Sequence, residues 1–152
     1  RIKNDLNNIE NEIFLNRNLF TTIDSKNNIV KINNKGLITK KPLPSESNYL
    51  FTADKNNFIH INENILTING KASELKFGNY TNPIIFNNKL NDNISLTDKD
   101  EKLIYLFDSN SDLVPNFPVF GSSKIDLFEN KNSKKYITSV GESNEILVYS
   151  LY

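Results

Sequence analysis

The sequence contains no cysteine, methionine or tryptophan, a single histidine, and only five glycines and five prolines in 152 residues. Without cysteine there is no disulfide, no thiolate metal site and no thiol nucleophile, which leaves the redox compartment open. The glycines are too scattered to build a phosphate-cradling loop, and no Gly-x-Ser-x-Gly occurs to present a serine nucleophile beside the lone His60. Charge of one sign is also lacking: eighteen basic side chains balance eighteen acidic ones, so no global field draws in nucleic acid or an anionic membrane. No apolar run approaches the roughly 18–20 residues that span a bilayer, and no signal peptide is visible. With Arg1 first and no methionine anywhere, the sequence reads as a segment of a longer chain.

What is present argues for a folded chain. Ten phenylalanines and six tyrosines supply core-forming bulk that a disordered segment lacks. Asparagine is over-used, often in pairs: Asn7-Asn8, Asn27-Asn28, Asn33-Asn34, Asn56-Asn57 and Asn87-Asn88. Because asparagine tolerates left-handed backbone and bonds its own loop, these pairs read as punctuation between strands, although a biased coding sequence would produce them too. Ile2, Leu6 and Ile9 fall at helical spacing, so residues 1–12 read as a short helix or linker. From Ile13 onward short runs of Ile, Val, Phe, Tyr and Thr alternate with polar clusters, the texture of short strands and tight turns.

The runs recur. Leu19 to Asn33 returns as Leu50 to Asn62, again as Ile94 to Asp108, and last as Tyr136 to Tyr149, each a strand, a polar turn and a second strand. Asp24, Asp54, Asp98 and Gly141 hold the corresponding turn places in this alignment. Asp54 and Asp98 are 44 residues apart, Asp98 and Gly141 are 43 apart, and the pairs Phe77-Gly78 and Phe120-Gly121 are also 43 apart. The interval from Asp24 to Asp54 is only 30. A period near 43 with about four short strands predicts an all-β chain of propeller blades, roughly three and a half four-stranded antiparallel units, divided as 13–47, 48–90, 91–134 and 135–152.

The string from Tyr105 through Asp108-Ser109-Asn110 to Pro115-Asn116-Phe117-Pro118 and Phe120-Gly121 resembles the blades of FG-GAP-like and quinoprotein-like bacterial β-propellers. The run from Lys135 to Tyr152 is similar to the C-terminal blade of large envelope-associated proteins of Bacteroidetes-type bacteria. The resemblance implies the C-terminal blades of a larger envelope or secreted protein. Such blades often carry a calcium loop, but the matching stretch, Asp126 to Lys135, has lost most of its acidic oxygens and gained lysines, so no calcium is expected there.

No catalytic constellation emerges and no cofactor is implied. The densest acidic cluster, Asp92, Asp98, Asp100 and Glu101, would suit a metal-dependent hydrolase or nuclease if the carboxylates converged; otherwise it is a solvated hairpin screened by Lys99 and Lys102. Lys26, Lys31, Lys35, Lys40 and Lys41, beside Phe20 or Tyr49, could track a nucleic-acid strand, but at zero net charge they read as solvated loops and protected sheet edges. His60 reads as a surface or seam residue. Phe51, Phe77, Phe86, Phe107, Phe117 and Phe120 read as core, while Tyr49, Tyr105, Phe117 and Phe120 are the aromatic candidates for a binding groove. The functional expectation is a non-catalytic scaffold or interaction module whose partner is the remaining blades of its parent chain or a second copy of itself, with a metal-dependent hydrolase or a carbohydrate-binding propeller as alternatives.

Overall fold

The computed structural model describes residues 12–16, 18–44, 49–87 and 91–151, and every regular element among them is a β-strand. The reading of residues 1–12 as a helix or linker falls, Glu12 apart, outside the described residues.

The asparagines and aspartates set the turns. At Asp24, Asn33, Asp108 and Asn130 the side-chain Oδ1 accepts hydrogen bonds from the backbone N–H groups two and four residues further on, at 2.8–3.0 Å. The backbone closes the same five-residue loop each time, the first residue donating to the carbonyl of the fifth and the fourth donating back to the first. That fourth residue must be left-handed, and Asn27, Gly36, Ser111 and Ser133 all have φ between 55° and 76°. A fifth copy opens at Gly141, which has no side chain to cap the loop; there Glu145 Oε2 accepts from the Ser143 N–H at 2.7 Å instead. Asn69-Gly70, both at positive φ, form a two-residue hairpin turn.

Between these turns the chain forms four antiparallel meanders. The first sheet is β1 (Phe14–Asn16), β2 (Leu19–Ile23), β3 (Asn28–Asn33) and β4 (Ile38–Pro42). The second is β5 (Leu50–Ala53), β6 (Phe58–Asn62), β7 (Ile65–Ile68) and β8 (Lys71–Glu74). The third is β9 (Ile84–Phe86), β10 (Asn93–Asp98), β11 (Leu103–Asp108) and β12 (Val119–Phe120), and the fourth is β13 (Asp126–Glu129), β14 (Lys135–Val140) and β15 (Ile146–Leu151). The first strands lie together at the inner side: the Phe14 and Phe51 rings meet edge to face, and β5 lies against β9.

In the second and third sheets the period-2 geometry of the strands feeds two seams at once. Ile59, Ile61, Leu66 and Ile68 of the second sheet meet Ile94, Leu96, Tyr105 and Phe107 of the third. The opposite face of the third sheet, through Ile104 and Leu106, meets Ile137, Leu127 and Tyr149 of the fourth, with Phe117 and Ile125 filling between. The first seam is smaller: Ile23 and Phe14 meet Phe51, Phe58 and Tyr49. These three apolar clusters of the described residues all join consecutive sheets, and none joins the fourth sheet to the first.

The repeat alignment needs two corrections. Asp54 closes the first hairpin of its sheet, whereas Asp24, Asp98 and Gly141 close the hairpin between second and third strands. The intervals of 30 and 44 on either side of Asp54 therefore both compare unlike hairpins, because an aspartate cap serves both kinds of turn. The cuts at 90 and 134 also fall inside sheets, since β9 pairs with β10 and β13 with β14. The Phe-Gly pairs both stand at the passage to the next sheet, Phe120 as the last residue of β12. A side chain at Gly78 would collide with Asp98 of the following sheet, and one at Gly121 with Ile104 of its own sheet and Ser139 of the following one, so both passages lie too close to neighbouring strands to carry a Cβ.

Candidate functional site

The acidic cluster does not converge. Asp92 and Asp98 flank β10 at opposite ends, about 20 Å apart at the rise of an extended strand. Asp98 is fully buried and its Oδ1 accepts the N–H groups of Asp100 (3.0 Å) and Glu101 (3.3 Å), whose own side chains point to solvent. Asp98 Oδ2 lies enclosed without a hydrogen-bond partner. Burial, with Tyr105 and the Asp98 charge added to it, pushes the Tyr80 phenol well above the usual tyrosine range, and burial with the Asp98 charge raises the Tyr105 phenol as well. Asp92 instead accepts from Asn57 Nδ2 at 2.8 Å; the same amide reaches Asp54 Oδ2 at 3.3 Å, and Asn69 Nδ2 donates to Asn57 Oδ1 at 2.9 Å. This network ties turns of the second sheet to the entry of the third. Among the described residues no three acidic or histidine groups gather as a metal site would require.

The aromatic candidates divide differently from expectation. Tyr49 and Tyr105 are buried in the first and second seams, whereas Phe117, buried in the third, lines a pocket of about 380 Å³ with Val114, Pro115, Val119 and Tyr149. Phe120 is partly exposed on the short outer strand β12. Phe77, expected in the core, is the opposite case: it projects into solvent from the crossover at 76% exposure.

Two features stand out in their place. The first is a cleft of about 710 Å³ between the first two sheets, lined among others by Lys31, Lys41, Lys55, Phe58, His60 and Thr67. It exists because inward-facing positions that hold Ile, Leu or Phe in the other seams hold Lys31, Thr39, Lys41, His60, Thr67 and Ala72 here. His60 sits at the cleft wall between Tyr49 and Phe58, with ring centroids at 5.2 and 5.5 Å, and burial holds its pKa down at about 4. Its Nδ1 is enclosed without a hydrogen-bond partner. Lys31, Lys40 and Lys41 are thus strand residues and not loop decoration. Lys31 and Lys41 share the inward face with Ile29 and Thr39, whereas Lys40, opposite Val30, falls on the other face of the sheet.

The second feature is the outward face of the fourth sheet. The register places Phe128, Tyr136, Val140, Ile146 and Val148 on the side of β13–β15 opposite the seam residues Leu127, Ile137 and Tyr149. Phe128, Val140, Ile146 and Val148 are exposed, Ile146 at 77%, and the Phe128 and Tyr136 rings stack at 5.3 Å. At the other end of the row, Leu15 and Phe20 are exposed on the first sheet, on the face turned from the second.

Four meanders stacked through apolar seams, with each crossover passing to the inner strand of the next sheet, place the chain in the β-propeller class. A solved β-propeller, virginiamycin B lyase from Staphylococcus aureus, is similar in structure: 93% of this chain superimposes with a TM-score of 0.54 at 17% identity. This chain spans 55% of that protein's length, and at this identity the likeness speaks for the fold alone. No protein-family model and no curated protein matches the sequence.

Proposed function

We propose that the chain is a non-catalytic binding module, part of a larger propeller assembly, that acts through the outward face of its fourth sheet. The observation that carries this reading is the apolar row Phe128, Val140, Ile146 and Val148, exposed on a sheet whose other face is seam core. Single exposed apolar residues are ordinary on a soluble protein; a contiguous row on one sheet face is the mark of a contact surface. Every internal seam joins one face of a sheet to the opposite face of the next. A second copy repeating that relation sets its first sheet, with Leu15 and Phe20, against this fourth sheet in a head-to-tail contact.

Sedimentation equilibrium on the intact chain tests this. The expected result is a concentration-dependent mass above that of the monomer, with Ile146→Lys/Val148→Lys remaining monomeric and melting at the same temperature within about 2 °C, because both side chains lie outside the seams. A monomeric wild type at all concentrations, or a variant that associates as well as wild type, overturns the reading.

A further inference from the structure

We infer that the cleft between the first two sheets is a binding site for an acidic aromatic small molecule. Its volume of about 710 Å³ lies within the roughly 300–1,000 Å³ of small-molecule sites. Among the described residues it is also the one seam in which polar inward positions, Lys31, Thr39, Lys41, His60 and Thr67, lie beside the apolar cluster, a costly use of core positions unless something occupies the space.

The lining specifies the ligand's chemistry. Lys31, Lys41 and Lys55 approach from the rim with no carboxylate of the described residues paired to any of them, while Lys40 is paired with the buried Asp24 at 3.8 Å. The only acid in the lining is Asp54, whose Oδ1 is taken by the Asn56 and Asn57 N–H groups and whose Oδ2 takes Asn57 Nδ2. The cleft is therefore locally cationic in a chain of zero net charge. Its inner wall is apolar and aromatic, with Phe58 and His60 tilted at 51° to each other and Pro42, Leu43 and Ala72 beside them. A flat ring fits against Phe58 and His60, and an acidic group attached to it falls among the lysines. His60, 9% exposed, presents a ring edge at the cleft wall, while its unpartnered Nδ1 is enclosed behind that edge.

The probe is 8-anilinonaphthalene-1-sulfonate, an aromatic sulfonate whose fluorescence reports binding, titrated into the intact wild-type chain. The expected result is saturable binding of one dye per chain that moves the His60 ring-proton NMR signals. Lys31→Glu/Lys41→Glu, which changes exposed side chains only, weakens it by about tenfold or more. Thr67→Trp, which fills the cleft, abolishes it, and if that variant fails to fold the charge reversal alone decides. Lys131→Glu, a charge reversal in the exposed turn between β13 and β14, leaves it unchanged. Binding that survives both cleft variants, that vanishes in Lys131→Glu, or that never saturates overturns the proposal.

Discussion

Leu96→Ala lowers the unfolding free energy by about 2–5 kcal/mol, whereas Val148→Ala shifts it by less than about 0.5 kcal/mol. Both residues are apolar and both sit in six-residue strands, so composition and propensity do not separate them. The seams do. Leu96 is 1% exposed at the junction of the second and third sheets, between Ile59, Ile61, Tyr105 and their neighbours, and truncation leaves a void that interlocked sheets on both sides cannot close. Val148 faces out from the last sheet and is 56% exposed, so its truncation removes little buried area. Against a total stability of about 5–15 kcal/mol, the Leu96 loss is a large fraction, visible as a lower urea midpoint at unchanged slope. Similar small losses for both residues would mean that the seam between the second and third sheets is not a packed core.

Acidification from pH 7 to 4 removes up to about 3 kcal/mol of stability through His60 alone. Burial between Tyr49 and Phe58 depresses the native pKa to about 4 from the ordinary value of 6.5, because the imidazolium would lose its hydration without gaining a partner. Above pH 6.5 the ring is neutral in folded and unfolded chains alike and contributes no pH dependence. Below 6.5 the unfolded chain takes up a proton that the folded one refuses, so stability falls steadily until about pH 4, where the native ring protonates too. His60→Phe keeps a ring at this position and removes the titration. Its stability, followed by urea unfolding at pH 7, 5.5 and 4.5, declines less steeply than that of wild type. The carboxylates contribute equally to both proteins and cancel in the comparison. Parallel pH profiles would place His60 in contact with water in the native state.

The strands and their turns were legible because each rests on a local signal. The continuous apolar run from Leu103 to Phe107 and the Asx residues at 24, 33, 108 and 130 are read within a few residues of chain, and the structure uses them in that way. Sheet membership was less legible. β9 and β12 have three and two residues, and nothing in Ile84-Ile85-Phe86 states that its partner is β10 and not the preceding β8. Asp54 misled for a related reason: like Asp98 in a middle hairpin, its Oδ1 accepts from the N–H groups two and three residues on, so local chemistry cannot report which hairpin of a sheet it closes. The acidic cluster looked dense because Asp92 and Asp98 are close in sequence, yet an extended strand carries residues apart about twice as fast as a helix does. The cleft was missed because lysines count as surface by default; only the register shows Lys31 and Lys41 facing the same seam as Ile23.

The absence of cysteine makes the head-to-tail contact directly measurable, since any introduced thiol is the only one in the chain. Phe20→Cys and Val148→Cys are prepared separately, mixed at equal concentration under mild oxidation and resolved by mass after digestion. A sheet row that continues from one copy to the next yields the mixed disulfide, joining position 20 of one chain to position 148 of the other, well in excess of either like-with-like product. A mixture that gives only like-with-like pairs through position 148, or no cross-link at all, contradicts the contact on which the proposed role of this chain depends.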